Sequence, residues 1–298
     1  MQIALRGAAG EPVDLWRTLV SHGVASLPPS ALDEDSRILT VTVPIPRAKP
    51  RTIRIREGAA GKARVDVFGP KPSALVAKAV RDVVVRMLNL DEDLSPLYAA
   101  AADDPELAWI TQGSGRMLRS PTVFEDVVKT ICTTNCAWSA TVRMVGALVN
   151  ELGEQSVGRF GYAFPTPAAM AGAPESFYKE VVRAGYRGAY LRALADDVAN
   201  GSLDLEELLN AEVPDEEVAG RLLALPGVGP YAAAHVMMLL GRHSRLILDS
   251  WTRPKYARLN GRKAADRQIE RRFKRYGGYA GLAFWLYLTR DWVEESAR

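Results

Sequence analysis

Apolar and polar residues alternate in three short runs near the start of the chain, Arg37 to Val43, Arg51 to Arg56 and Arg64 to Phe68, and β-branched residues dominate them. That period predicts strands. Pro44, Pro46, Pro50 and the stretch from Gly58 to Gly61 are expected to supply the turns. A short helix is expected over Asp14 to Val20 and another near residues 72–89, so residues 1–104 are read as a small antiparallel sheet domain. From about residue 105 the apolar spacing lengthens to three and four. Ser120-Pro121 reads as an N-cap and first turn, and Val123, Phe124, Val127, Val128 and Ile131 then make one helical face. Pro167 opens a short helix, and Arg187 to about Asn200 forms another with Gly201 at its C-terminal cap. Pro214 followed by Asp215, Glu216 and Glu217 is a strong start, because acids suit the positive end of the helix dipole. The fold class expected is α+β: the sheet domain, then a mainly helical unit over 105–298.

Two helices in that unit are joined by a tight hairpin, and the helix-hairpin-helix spans 215–241. The hairpin is Leu225-Pro226-Gly227-Val228-Gly229-Pro230-Tyr231. Gly227 and Gly229 allow positive φ and a side-chain-free approach, so the backbone N–H groups there can reach an anion such as a phosphate. Beyond the second helix, which ends near Gly241, an isolated acid, Asp249, stands in the apolar run Leu246-Ile247-Leu248-Asp249-Ser250-Trp251. A carboxylate enters such a run only at a cost. Asp249 can cap a helix at Ser250 and still be reactive. A phosphate grip beside a carboxylate of low dielectric surroundings points to chemistry on a nucleic acid.

Charge distribution adds to this. The net charge is only +3, yet ten Lys or Arg lie between Arg253 and Arg275 against Asp266 and Glu270. Such clustering is expected beside a phosphate backbone, although a solvated helix face would look the same. The chain has 298 residues and 48% apolar content, enough to bury a substantial core. No apolar stretch approaches a membrane span and the N-terminus lacks a secretory pattern, so a soluble cytoplasmic protein is expected. Cys132 and Cys136 are the only cysteines, too few for the four thiolates of an iron–sulfur cluster or a structural zinc site. His22, His235 and His243 show no metal-ligand spacing and are read as structural.

The hairpin, its spacing to a single Asp and the apolar helix between them resemble the helix-hairpin-helix DNA glycosylases. The resemblance covers roughly residues 105–298 and more weakly the sheet domain, which is similar to the N-terminal module of the alkylpurine and 8-oxoguanine branches. Phe164-Pro165-Thr166-Pro167, Gly185-Tyr186-Arg187 and Tyr276-Gly277-Gly278-Tyr279-Ala280-Gly281-Leu282-Ala283 look like family landmarks of a two-lobed helical core.

The resemblance implies base excision repair, in which a damaged base is flipped out of duplex DNA and its N-glycosidic bond hydrolysed. It makes Asp249 the catalytic carboxylate. Family members that also cut the strand carry a Lys where this chain has Tyr231, which implies a monofunctional enzyme of the alkylpurine type leaving an abasic site. Tyr231, Trp138, Trp251 and Tyr186 are the expected base-pocket aromatics, though each also suits a core. Gly227, Val228, Gly229 and Pro230 are expected on a phosphate, with Arg253 and Lys255 on the backbone and Asn135 filling the gap left by the base. Asn135 matches the 8-oxoguanine branch rather than the alkylpurine one, and it also suits a plain turn. An oxidised-purine glycosylase and a non-catalytic DNA-binding protein are therefore the alternatives. Main-chain oxygens of Leu223, Leu225 and Val228 are expected to hold a Na+ or K+ ion, with no other cofactor, and a monomer is expected.

Overall fold

A computed structural model gives the fold of residues 1–295, with side chains through 293. Residues 296–298, the last of the helical unit expected to run to 298, lie outside the described residues. The N-terminal sheet has five antiparallel strands in the order β1-β5-β4-β3-β2, namely β1 (Gln2–Ala4), β2 (Ser30–Asp33), β3 (Ile38–Ile45), β4 (Ala48–Glu57) and β5 (Lys62–Val67). The alternation read from the sequence sets its register: Leu39 faces Ile55, Val41 faces Ile53, and Ile55 faces Val65. These five side chains turn one way and are fully buried. Two helices follow the chain into this domain, α1 (Leu15–Leu19) before the sheet's centre and α2 (Ala74–Met87) after it. Val80, Val84 and Met87 of α2 close over the sheet's apolar face.

Two of the expected turn prolines lie inside strands. Pro44 sits in β3 where the pairing slips between Val43 and Ile45, a bulge that tolerates a residue with no N–H. Pro50 lies near the start of β4, where its carbonyl accepts from the Val157 amide at 3.0 Å. The reversal between these strands falls at Arg47, with φ of 59°.

The remaining helices are α3 (Ser95–Ala101), α4 (Val123–Thr133), α5 (Trp138–Leu152), α6 (Pro167–Ala171), α7 (Arg187–Ala199), α8 (Asp215–Leu223), α9 (Pro230–Leu239), α10 (Thr252–Leu259), α11 (Asp266–Phe273), α12 (Ala280–Thr289) and α13 (Trp292–Glu295). The cap of α4 is Thr122 rather than Ser120: its side chain accepts from the Glu125 amide at 3.2 Å. Ser120 instead donates its own amide to Asp126 Oδ1 at 2.9 Å.

Two apolar cores define two helical lobes. One gathers Val127, Ile131, Leu148, Leu191 and Leu222 from α4, α5, α7 and α8. The other gathers Leu97, Tyr256, Ile269 and Phe284 from α3 and α10 to α12. Leu94, Leu97, Tyr98 and Ala101, which precede residue 105, pack into this second core. Helix α9 belongs to both lobes. Ala232, Ala233, Val236 and Met237 enter the first core, and Ala234, Met238 and Leu239 enter the second. A helix apolar on every side must be enclosed on every side, and this places the hairpin at its N-terminus on the seam between lobes. No helix among the described residues is long and apolar enough to cross a membrane.

Candidate active site

The seam opens into two adjoining chambers. The first, of about 690 Å³, is bordered by the hairpin residues Gly227, Gly229 and Pro230, by Thr134 and Asn135 of the α4–α5 loop, and by Tyr186. The second, of about 550 Å³, is bordered by Trp138, Trp251, Trp285 and Trp292 together with Val24, Ile247, His22 and His235. Thr133, Cys136, Tyr231 and Asp249 border both, so they stand at the neck. Volumes of this size suit a group of base or nucleoside dimensions.

Asp249 is half-buried and held by its own helix. Its Oδ1 accepts from the amides of Trp251 at 2.8 Å and Thr252 at 2.6 Å, while its amide donates to Thr252 Oγ1 at 2.8 Å. These bonds close the first turn of α10, as an aspartate ahead of a helix should. They also fix the carboxylate's direction. Oδ2 takes no hydrogen bond among the described residues, so one carboxylate oxygen stays uncommitted.

The hairpin follows from its glycines unequally. Gly227 has φ of 81°, and a Cβ there would stand 2.7 Å from the Tyr190 ring. Gly229 has ordinary extended backbone, φ −94° and ψ −176°, and serves as the N-cap of α9 without any side-chain cap. Nothing lies within 4 Å of where its Cβ would be, so its value is open space at the first chamber. The helical ladder starts with the Ala233 amide on Gly229 O at 2.9 Å. Pro230 has no N–H, which leaves the amides of Tyr231 and Ala232 at the positive end of α9. An anion fits there.

Tyr231 stands beside the acid. Burial pushes its phenol pKa up and the Asp249 charge adds to this, while the hydroxyl contact with Thr133 at 3.4 Å opposes them. Its ring stacks on His235 with centroids 6.1 Å apart. No lysine borders either chamber among the described residues. Asn135 is exposed at the tip of the α4–α5 loop with φ of 46°, a conformation Asn tolerates better than most residues. The loop behind it is tied down by Arg187, whose guanidinium donates to Thr134 O and, at 3.3 Å, to Thr134 Oγ1.

The aromatic expectations divide between the chambers. Trp138 and Trp251, 47% and 40% exposed, border the second chamber as a base-stacking residue would. Tyr186 does not join them. It borders the first chamber, packed on Tyr190 at 5.8 Å with the Arg187 guanidinium 4.6 Å over its ring. Trp285 and Trp292 were not expected there. They pack on Trp251 at 5.6 and 5.8 Å, and the Trp285 indole N–H donates to Ser21 O at 2.8 Å.

The basic run is less available than its composition implies. Lys255 is buried and bonded to Asp291, which removes it from a phosphate-facing surface. Arg253 holds Asp266 with two bonds at 2.8 and 2.9 Å, though Arg253 remains exposed and Asp266 half-exposed. Arg272 and Arg275 are bonded to Glu106 and Asp104. Arg258, Arg262, Lys263, Arg267, Arg271 and Lys274 stay exposed without an ion pair among the described residues. At the expected cation site, the Leu225 carbonyl accepts from the Val228 amide at 3.1 Å, which folds the hairpin back over itself. Leu223 lies at the exposed end of α8.

No family model matches the chain, and no curated protein matches it in sequence. Solved structures do match. MBOgg1 in complex with a low-affinity DNA ligand aligns with TM-score 0.74 and 20% identity over 98% of this chain and 96% of its own. The 3-methyladenine DNA-glycosylase from Archaeoglobus fulgidus aligns with TM-score 0.71 and 22% identity over 98% of this chain and 99% of its own. The 8-oxoguanine glycosylase/lyase from Clostridium acetobutylicum, in complex with duplex DNA containing cytosine opposite 8-oxoguanine, aligns with TM-score 0.70 and 20% identity over 94% and 92%. Sheet domain, two lobes and seam together give this chain the fold of the helix-hairpin-helix DNA glycosylases.

Proposed function

We propose that the protein is a monofunctional DNA glycosylase of base excision repair that removes alkylated purines and leaves an abasic site. The observation that carries this reading is the place of Asp249. It stands at the neck between a chamber floored by free helix-terminal amides and a chamber walled by tryptophans. A lesion-strand phosphate at α9 would bring the adjoining sugar to the carboxylate, and the extruded base would occupy the aromatic chamber. Cleavage of the N-glycosidic bond builds positive charge on the deoxyribose. Oδ2 of Asp249 would stabilise that charge and orient or deprotonate the attacking water. A non-catalytic DNA-binding protein would gain nothing from an anion beside the backbone.

Tyr231 and the tryptophans support the alkylpurine subclass. Tyr231 cannot form an imine, so strand cleavage through a Schiff base has no nucleophile at the neck. Electron-rich rings favour the electron-poor face of an alkylated base. The second reading, removal of an oxidised purine, is favoured by Asn135 at the loop tip beside the first chamber. Damaged duplex DNA is the partner of either reaction, one seam suffices for a monomer, and a Na+ or K+ ion on the carbonyls of Leu223, Leu225 and Val228 would strengthen the phosphate site. Single-turnover assays on methylated DNA and on 8-oxoguanine duplexes test the subclass: methylated purines should be released, and borohydride should trap no covalent adduct. Release of 8-oxoguanine with a trapped adduct would overturn the alkylpurine, monofunctional reading.

A further inference from the structure

The polar side chains lining the tryptophan chamber are almost all committed. Thr141 donates to Cys132 O at 2.9 Å, Cys136 to the same carbonyl at 3.1 Å, and Thr133 to Thr130 O at 2.7 Å. Asp249 Oδ1 is held by helix amides. Among the fully buried side chains there, His22 and His235 are the exceptions. Each is 4% exposed, yet His22 Nδ1 and His235 Nε2 have no hydrogen-bond partner among the described residues. A buried polar atom left unpaired costs on the order of 1–3 kcal/mol and calls for an explanation.

Chain geometry brings the two rings together from opposite ends of the sequence. His22 precedes the short turn over Gly23–Ser26, and His235 lies one turn along α9 from Tyr231. Their centroids are 5.6 Å apart, edge to face at 81°. His22 Nε2 lies 2.7 Å from Leu118 O. A carbonyl can only accept, so Nε2 carries the proton and Nδ1 of the neutral ring is a bare acceptor. Burial lowers the His22 pKa to about 3, with His235 and Lys129 adding repulsion against the Leu118 bond, and burial lowers that of His235 to about 4. Both rings are therefore neutral at physiological pH.

We propose that His22 and His235 determine base specificity: both nitrogens are closed off from the chamber in the structure, and side-chain shifts as the base enters let His22 Nδ1 accept an N–H of the extruded base while His235 Nε2 makes a second contact on the same edge. The inference rests on the alkylpurine reading. Methylation at a purine ring nitrogen leaves a positive charge, which makes the amino and ring N–H groups stronger donors. A neutral acceptor binds those donors without opposing the charge, and the surrounding tryptophans stabilise it. An imidazolium at either position would repel such a base.

His22→Phe and His235→Phe remove the nitrogens and keep a ring of similar shape. Single-turnover release of 3-methyladenine and 7-methylguanine is measured from methylated DNA, beside affinity for a duplex carrying a tetrahydrofuran abasic-site analogue. Each variant should slow release by about ten- to a hundredfold, the size of one hydrogen bond to a charged group. Affinity for the abasic duplex should not change. His22→Asn, which keeps an acceptor near the position of Nδ1, should retain most of the release. Should the phenylalanine variants fail to fold, the ring nitrogens of the wild-type protein are read by 15N NMR. The His22 Nδ1 resonance should move toward hydrogen-bonded values when 3-methyladenine joins the complex with abasic duplex. Folded variants that release methylated bases at the wild-type rate, or an unmoved Nδ1 resonance, would overturn the inference while leaving the glycosylase reading in place. A wild-type protein that releases no methylated base would overturn both.

Discussion

Acidification should destabilise this protein through the two buried histidines, and the size of the effect follows from where they sit. An imidazole ordinarily titrates at 6.5, whereas His22 and His235 in the fold titrate at about 3 and about 4 because burial penalises the charged ring. The unfolded chain therefore binds more protons than the fold at any pH between these values and about 6.5, and stability falls as pH drops through that window. Their contribution is whole above the unfolded value and is lost progressively below it. At about pH 5 each unfolded ring is almost fully protonated and each folded ring almost wholly neutral, a difference of about 2 kcal/mol per ring and about 4 kcal/mol for the pair. Glu125 and Asp126, whose carboxyl pKa values burial raises, act with the opposite sign. A double variant His22→Phe, His235→Phe removes the histidine contribution and keeps those carboxylates, so the comparison isolates the pair. Urea unfolding of both proteins at about pH 7.5 and about pH 5 measures it. Wild type should lose about 4 kcal/mol more than the variant over that interval. Parallel losses, within about 1 kcal/mol, would refute the claim that both rings are buried and neutral.

Two further substitutions test other parts of the site. Gly227→Ala places a Cβ 2.7 Å from the Tyr190 ring at a φ of 81°, which should cost about 1–3 kcal/mol of stability and weaken DNA binding, read by thermal unfolding and by duplex affinity. An unchanged melting temperature would show that the hairpin relaxes without strain. Trp251→Ala opens the tryptophan wall and should slow release of charged methylated purines about tenfold more than release of neutral hypoxanthine, the scale of a desolvated cation–π contact. Equal slowing on both bases would assign Trp251 a packing role alone.

The local parts of the fold could be read from residue patterns, and the parts made by distant partners could not. Alternation in β3, β4 and β5 is strong because one face of each is buried. β1 has three residues and β2 lies at a sheet edge with no side chain fully buried, so neither leaves a period to detect. Pro214 with its three acids opens α8 as expected because helix starts are set by local electrostatics. Ser120-Pro121 misled because Thr122, one residue beyond, also has a capping hydroxyl and the extended backbone a cap requires.

The site divides the same way. The hairpin and Asp249 are a local motif and stand together at the seam. Lys255 looked like a phosphate contact because Asp291, which holds it, lies far along the chain. His22 and His235 had no sequence signal, since each is a lone histidine and only the packing of α9 against the turn after α1 brings them to one wall. Trp285 and Trp292 were hidden for a related reason. Trp285 sits in α12, which is apolar on every side, and periodicity cannot tell which of its faces opens on a cavity.

The central claim is that Asp249 performs chemistry on a base extruded into the tryptophan chamber. Single-turnover release from methylated duplex DNA, wild type against Asp249→Asn, tests it most directly. The asparagine keeps an oxygen for the Trp251 and Thr252 amides, so the fold and the affinity for duplex DNA should hold. Release of methylated purines should fall by at least about a hundredfold, the scale of losing an electrostatic stabiliser of the transition state. Release by the variant at a rate near that of wild type would contradict the account.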